Sequence, residues 1–138
     1  MIYLRQATFG DLPLIMAWRN NQLVYKGFVQ QTNPLVWEEH LNWWNSLKDD
    51  QRVFVICYDD RPVGVVTTND NEVGYYIGEV TLWGQGIGTQ VVGQVCDWLK
   101  DKGTEDVYLR IKDDNIASQR LATKLGFKKE GYIWIKKL

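Results

Sequence analysis

Three glycines at alternate positions give the segment Trp83–Thr89 (Trp-Gly-Gln-Gly-Ile-Gly-Thr) the clearest chemical meaning in this chain. Glycine lets a backbone approach a ligand closely, because no side chain stands in between. The residues from Thr89 onward have helical spacing, so the first N–H groups of that helix point back at the loop. Unpaired N–H groups and the positive end of a helix dipole together bind anions. The segment therefore predicts a site for a phosphate-bearing ligand.

The glycine spacing excludes two common nucleotide-binding loops. A dinucleotide loop reads G-x-G-x-x-G, whereas here the third glycine comes one residue early and the loop follows three predicted strands. A triphosphate loop reads G-x-x-x-x-G-K-[ST], but Gln90 and Val91 follow Thr89 and no lysine matches. The alternative is a turn that only joins a strand to a helix, for which one glycine would suffice.

Length, charge and cysteine content narrow the class of protein. A chain of 138 residues predicts one domain, residues 1–138, and its net charge of −1 argues against a general nucleic-acid binder. The sequence has no apolar run of about 20 residues and no signal peptide, so we expect no membrane partner and a cytoplasmic location. Two cysteines and one histidine, widely scattered, predict no metal site.

The elements around the loop predict a mixed sheet. An apolar strand, Glu72–Glu79, precedes the loop, and a helix, Thr89–Lys102, follows it. Upstream, we expect Asp11 to cap a first helix and a second helix to begin at Asn33-Pro34, with a loop between them. The predicted order is β-α-α-β-β-β-(glycine loop)-α-β-α-β, with one or two strands at the end. Antiparallel and parallel strand pairs should share one α/β (α+β) sheet with helices on both faces.

Two segments resemble the GNAT superfamily of acyl-CoA N-acyltransferases. Gly74–Ile77 with Trp83–Thr89 looks like the family's cofactor strand and pyrophosphate loop, usually written Q/R-x-x-G-x-G/A, with Trp83 in place of Gln or Arg. Asn115–Phe127 looks like the family's late helix and its Leu-Gly-Phe ending. The resemblance spans nearly the whole chain and implies a mostly antiparallel central sheet.

The resemblance implies acetyl-CoA as the acetyl donor. The pyrophosphate would bind backbone N–H groups of the loop, the pantetheine arm would lie where two strands splay apart, and a residue of the late helix would contact the far side of that arm. The residues expected to bind acetyl-CoA are Ile77, Gly78, Gln85, Gly86, Ile87, Gly88, Thr89 and Asn115.

Acetyl transfer to an amine needs an oxyanion donor, a base and a proton source for the departing thiolate. A backbone N–H near Ile77 or Gly78 is the expected donor. The candidate bases are Glu72 and Glu79, at the two ends of the central strand.

The proton source for the departing thiolate differs from the one that is usual in the family. Many relatives use a tyrosine one residue after the position of Leu121, but this chain has Ala122 there. Ser118 or a water is the expected substitute, and the other candidates are three tyrosines: Tyr75, Tyr76 and Tyr108.

The acceptor site is expected on the first two helices and the loop between them. Four residues there are the candidate acceptor contacts: Arg19, His40, Trp43 and Trp44. The two helices that contain them resemble those of a subgroup of the family that acetylates amino groups on nucleotide-linked sugars. Arg19 and Lys26 are available to bind the phosphates of such an acceptor. A second subgroup acetylates protein N-termini, and a non-catalytic acyl-CoA sensor is the third alternative. We expect a small-molecule amine as partner, and a monomer or a homodimer.

Overall fold

A computed structural model describes Met1–Leu138 and shows one seven-stranded sheet in the order β1-β2-β3-β4-β5-β7-β6. The strands are β1 Ile2–Gln6, β2 Gln51–Tyr58, β3 Arg61–Asn69, β4 Glu72–Ile77, β5 Asp106–Arg110, β6 Lys128–Glu130 and β7 Ile133–Lys137. Only β4 and β5 pair in parallel, and every other neighbouring pair is antiparallel. The predicted mixed, mostly antiparallel sheet is confirmed.

Helices cover both faces of the sheet. They are α1 Leu12–Arg19, α2 Gln22–Tyr25, α3 Trp37–Asn45, α4 Ile87–Asp101 and α5 Ile116–Lys124. Val66 of β3 belongs to the large apolar cluster that includes α4 and α5, whereas its neighbour Val65 belongs to a smaller cluster with Ile15 and Trp18 of α1. Successive strand residues point to opposite faces, so the two clusters are the two sides of one sheet. None of the helices is long and apolar enough to cross a membrane.

Helix α3 begins at Trp37, three residues after the predicted Pro34. The side chain of Asn20 holds the preceding segment, because its Oδ1 accepts from the N–H of Leu35 at 2.6 Å and its Nδ2 donates to the Leu35 carbonyl at 3.0 Å. The Glu39 carboxylate then accepts from the Val36 N–H at 3.3 Å and closes the first turn. A long-range contact therefore sets the start of this helix.

The carboxylate of Asp11 does not cap α1 in the way that the sequence predicts. It accepts from the backbone N–H of Thr8 at 2.7 Å and pairs with both terminal nitrogens of Arg5, at 2.8 and 2.9 Å. The Arg5 guanidinium is the main reason that the pKa of Asp11 is lowered to about 2. The side chain ties the start of α1 to β1.

Strand β4 ends at Ile77, two residues before the predicted end at Glu79. The N–H groups of Gly78 and Glu79 both donate to the single carbonyl of Val63, at 2.8 and 3.1 Å, so regular pairing stops there. On its other side β4 pairs with β5 only at Glu72 and Tyr108. The two strands therefore diverge after their first contact and leave a gap between them.

Candidate active site in a cleft between splayed strands

A cleft of about 1410 Å³ opens at the gap between β4 and β5. Its walls come from β4, the glycine loop with the start of α4, helix α5 with the loop before it, and the segment 22–32 after α1. The cleft brings together elements from nearly the whole length of the chain. It therefore contains most of the residues that the sequence singles out.

Glycine is needed at the three loop positions for different structural reasons. Gly84 and Gly86 have φ values of +83° and +79°, which L side chains rarely adopt, and a Cβ at either position would meet nothing within 4 Å. A Cβ on Gly88 would lie 3.1 Å from Leu121 Cδ1 and 3.2 Å from Tyr75 Cε2. Two glycines thus shape the turn, and the third lets α4 pack closely against β4 and α5.

The first turn of α4 faces the cleft without a capping side chain. The helix begins at Ile87, with Gly86 as its N-cap, and the first helical bond runs from the Gln90 N–H to the Gly86 carbonyl at 3.1 Å. The N–H groups of the first turn, Ile87–Thr89, have no partner within the helix, and these residues line the cleft. This end of a 15-residue helix suits an anion. Gln85, a predicted contact, is exposed and lies outside the cleft wall.

The edge of β4 offers further backbone donors to the gap. Gly78 N–H donates to Val63, and partners alternate along an antiparallel ladder. The N–H groups of Tyr75 and Ile77 therefore point away from β3, towards β5, which has already diverged. The predicted oxyanion donor near Ile77 is available in this geometry.

Gly78, by contrast, is neither a free donor nor part of the cleft wall. A Cβ at this position would lie 2.1 Å from Cγ of Trp18, so the residue is buried under the indole ring on the α1 side of the sheet. The prediction that the pantetheine arm contacts Gly78 is wrong, because the strand turns away at this point.

Trp83 occupies the first position of the glycine loop, where the resembling pattern has Gln or Arg. Its Nε1 donates to the carbonyl of Ile77 at 2.8 Å, and its half-exposed ring lines the cleft. The indole therefore fixes the loop to the end of β4 and leaves the backbone N–H groups of the loop free.

Of the two candidate bases, only Glu72 lines the cleft. Its Oε2 lies 3.1 Å from Arg110 Nε, and its Oε1 accepts from the Tyr108 hydroxyl at 3.3 Å. Glu79 is exposed outside the cleft and accepts from Trp18 Nε1 at 3.4 Å. The position of Glu79 gives no support to a catalytic role, which stays a prediction.

A hydroxyl pair stands on the opposite side of β4. The Tyr75 and Ser118 oxygens lie 2.7 Å apart, and both residues line the cleft. Burial raises the pKa of Tyr75, and its hydrogen bond with Ser118 opposes that rise. Ala122 is fully buried and offers no polar group. The cleft thus has a proton donor next to the position from which the usual tyrosine is missing.

Asn115 begins α5 and lines the cleft. Its Oδ1 accepts from the Ser118 N–H at 3.2 Å, so the oxygen is occupied as a helix cap. Its Nδ2 faces Gly27, where an added Cβ would lie only 3.2 Å away. Nearby, Lys112 Nζ donates to the carbonyl of Lys26 at 2.7 Å. The segment after α2 is therefore held against the loop before α5.

Arg19 lines the cleft next to the segment 22–32, in the part that we call the acceptor half because the sequence predicts the acceptor there. Its guanidinium carbon lies 6.0 Å from the centre of the Phe28 ring and 5.7 Å from that of Trp43. Its Nε donates to Gln31 Oε1 at 3.3 Å, and burial lowers its pKa. Trp43 also lines the cleft. Both residues are positioned to contact an acceptor.

His40 and Trp44, by contrast, lie outside the cleft. The His40 ring is 1% exposed, its Nε2 donates to the carbonyl of Leu12 at 2.8 Å, and it stacks on Trp43 at 5.4 Å. Burial lowers the pKa of His40, so the ring is held neutral. Trp44 packs against Trp43, with 6.2 Å between ring centres. The predicted acceptor contacts at His40 and Trp44 do not line the cleft, because α3 turns His40 towards Leu12 of α1 and Trp44 packs beside Trp43.

The sequence alone does not single out several residues of the cleft wall. The segment 22–32 lines the acceptor half, and four more cations line the rest: Arg110, Lys112, Arg120 and Lys124. All four of these cations lie in the basic C-terminal part of the chain, since ten of the 16 Lys/Arg residues follow position 99. This charge bias is the sequence feature that points to them. No group of three His, Cys, Asp or Glu residues is placed to hold a metal ion, and both cysteines are buried and free.

Comparisons with known proteins agree with this geometry. Residues 2–128 match the family model described as acetyltransferase (GNAT) domain. An uncharacterized protein of Methanocaldococcus jannaschii, MJ1062, is 43% identical over 136 residues, which cover 93% of this chain but only 28% of that protein.

Solved structures show the same fold. The crystal structure of a domain from Methanocaldococcus jannaschii has a TM-score of 0.93 at 40% identity and covers 100% of this chain and 99% of that one. The aminoglycoside acetyltransferase AAC(6')-Ib, crystallised with coenzyme A, has a TM-score of 0.86 at 14% identity over 99% and 95% of the two chains. The chain therefore belongs to the acetyltransferase (GNAT) domain family.

Proposed function

We propose that residues 1–138 form one catalytic domain that moves an acetyl group from acetyl-CoA to a primary amine on a nucleotide-linked sugar. The observation that carries the proposal is two sets of unpaired backbone donors in one cleft. One set lies at the edge of β4, at Tyr75 and Ile77, and the other at the first turn of α4, Ile87–Thr89. Family membership and the cationic cleft support the same conclusion.

These donors match the two polar parts of acetyl-CoA. The first turn of α4 suits the pyrophosphate, since free N–H groups and the helix dipole act together. The exposed edge of β4 suits the amide groups of the pantetheine arm, which can pair with it as an added strand does. Trp83 and Asn115 stand on either side of this path.

The chemistry needs no covalent enzyme intermediate. The amine nitrogen forms a bond to the thioester carbon, and the carbon–sulfur bond then breaks. A backbone N–H of β4, at Tyr75 or Ile77, donates to the oxyanion. Glu72 accepts the proton of the amine directly or through a water, and the Tyr75–Ser118 hydroxyl pair returns a proton to the thiolate.

The charge of the cleft favours an anionic acceptor. Two cations, Arg19 and Lys26, line the acceptor half without a carboxylate, and Glu72 elsewhere in the cleft is already paired with Arg110. A polycationic amine would meet net repulsion in this wall, whereas the phosphates of a sugar nucleotide would be attracted. The second candidate, a protein N-terminus, is less favoured because a neutral peptide would leave Arg19 without a counter-charge.

A thiol-release assay over a panel of amines tests the proposal. The panel contains amino-sugar nucleotides, the same amino sugars without nucleotide, spermidine and peptides with free N-termini. We expect the amino-sugar nucleotide to have the highest kcat/KM. If a peptide is the best substrate, the acceptor is a protein N-terminus and not a sugar nucleotide. Acetyl-CoA binding with no thiol release from any amine would support the sensor alternative.

A further inference from the structure

We propose that Tyr76 and Arg19 together form a subsite for an anionic group of the acceptor, with the Tyr76 hydroxyl as a specificity-determining donor. This subsite rests on the proposed function, because it assumes that the cleft binds an amine acceptor. It gives a role to Tyr76, which takes no part in the proposed acetyl transfer. A buried hydroxyl without a hydrogen-bond partner and a guanidinium without a carboxylate partner carry the argument.

The Tyr76 hydroxyl is buried without a hydrogen-bond partner. Phe28 packs against its ring with 5.2 Å between centres, and Trp18 lies at 6.4 Å on another side. Buried polar side chains nearly always have a partner, so an unpaired phenol needs an explanation. Because Tyr76 lines the cleft, a ligand oxygen can supply the missing partner.

Arg19 is a partly buried cation without a carboxylate within 4 Å. Its only hydrogen bond as donor is the one to Gln31, and Phe28 and Trp43 flank the guanidinium. Phe28 packs against the Tyr76 ring as well as against the guanidinium, so the two groups lie around one aromatic ring. One anionic oxygen group between them would satisfy the guanidinium and the phenol together.

The position of this subsite defines the length of the acceptor. Glu72, Gly74 and Tyr76 share one face of β4, because side chains alternate along a strand. Tyr76 lies four residues after Glu72, a rise of about 13 Å along the strand, and Gly74 places no side chain between them. An acceptor with its amine at Glu72 and its anion at Tyr76 must be extended. A phosphate of a sugar nucleotide fits this spacing, and the carboxylate of a simple amino acid does not.

Calorimetric titration of protein saturated with coenzyme A tests the subsite, since the cofactor then occupies the first turn of α4. The probes are uridine diphosphate, inorganic pyrophosphate and succinate. We expect uridine diphosphate to bind, Tyr76→Phe to weaken its binding about tenfold or more, and Arg19→Gln to weaken it about 30-fold or more. The double variant should lose less than the product of the two, because both groups contact one anion. Succinate binding more tightly than both phosphates would place a carboxylate there and overturn the phosphate assignment.

Tyr3→Phe is the matched control, because the Tyr3 hydroxyl bonds Asp60 far from the cleft. In the absence of anion, Tyr76→Phe should unfold at a temperature no lower than the parent does, since it removes an unpaired buried hydroxyl. No binding of any probe, or equal binding by Tyr76→Phe, would overturn the subsite. Neither result depends on acetyl transfer. A protein that binds the anions but transfers no acetyl group would contradict the proposed reaction and leave the subsite standing.

Discussion

The two halves of the cleft use different parts of the chain for recognition. The half with the glycine loop offers backbone N–H groups of β4 and of the first turn of α4. The half with Arg19 and Tyr76 offers side chains held among Phe28 and Trp43. Backbone donors depend on local geometry, and a glycine pattern specifies that geometry directly. Side-chain subsites depend on packing between distant elements, which lets the acceptor change while the cofactor half stays the same.

Of the two candidate bases only Glu72 lines the cleft, and we expect its removal to have the largest effect. Glu72→Gln should lower kcat by roughly 10²–10⁴-fold, as expected for loss of a general base, with little change in acetyl-CoA affinity. Steady-state kinetics measure this. Glu79→Gln is the matched control and should leave kcat unchanged, because Glu79 lies outside the cleft. An unaltered rate in Glu72→Gln would remove Glu72 from the mechanism.

Gly78 tests whether the end of β4 serves the fold and not the cofactor. Gly78→Ala should destabilise the protein by about 3 kcal/mol, because its Cβ would lie 2.1 Å from the Trp18 ring. Gly93→Ala in α4 is the control, since its Cβ meets only Leu125 at 3.6 Å, and it should be neutral or slightly stabilising. Urea unfolding measures both. Equal stability of the two variants would contradict the close packing of Trp18.

The hydroxyl pair tests proton return to the thiolate. Tyr75→Phe and Ser118→Ala should each lower kcat by about tenfold, below the full range for general acid catalysis because water can partly replace either group. The rate should fall without a matching rise in the KM for acetyl-CoA. A loss below about threefold in both variants would make water the proton donor.

The free energy of unfolding should depend modestly on pH through His40, which packs against Trp43 of the acceptor half. Burial lowers its pKa from 6.5, so the unfolded chain binds the proton more readily than the folded one. Stability should therefore fall as the pH drops below 6.5, by up to about 1.4 kcal/mol per pH unit. Urea unfolding at pH 7.5, 6.5 and 5.5 measures this slope. Since His40 is the only histidine, His40→Gln should flatten it, and an unchanged slope would contradict a neutral buried ring.

Much of the cofactor half was predictable from sequence. The alternate glycines predicted a turn leading into α4, and periodicity predicted the strand before it. Gly86, Ile87, Gly88 and Thr89 line the cleft as expected, although their contacts with acetyl-CoA remain predictions. These features depend on residues that are close together in sequence.

The errors have a common physical cause. His40 and Trp44 lie on a helix whose orientation is set by packing against α1, and Gly78 is fixed by Trp18, which lies 60 residues earlier in the chain. The sequence indicates Tyr76 only as a candidate proton donor, since it does not show that Phe28 and Trp18 pack against its ring. Periodicity gives the faces of an element but not the neighbour that each face meets.

The central claim is that acetyl-CoA binds to the uncapped first turn of α4. Calorimetric titration of Gly86→Asp tests it most directly, with Gly103→Asp as the matched control. Both glycines flank the same helix, with φ values of +79° and +90°, and a Cβ at either meets nothing within 4 Å. A carboxylate at position 86 would repel the pyrophosphate, so we expect Gly86→Asp to lose acetyl-CoA binding while Gly103→Asp keeps it. Affinity retained within about threefold in folded Gly86→Asp, a difference of less than about 1 kcal/mol, would contradict the claim.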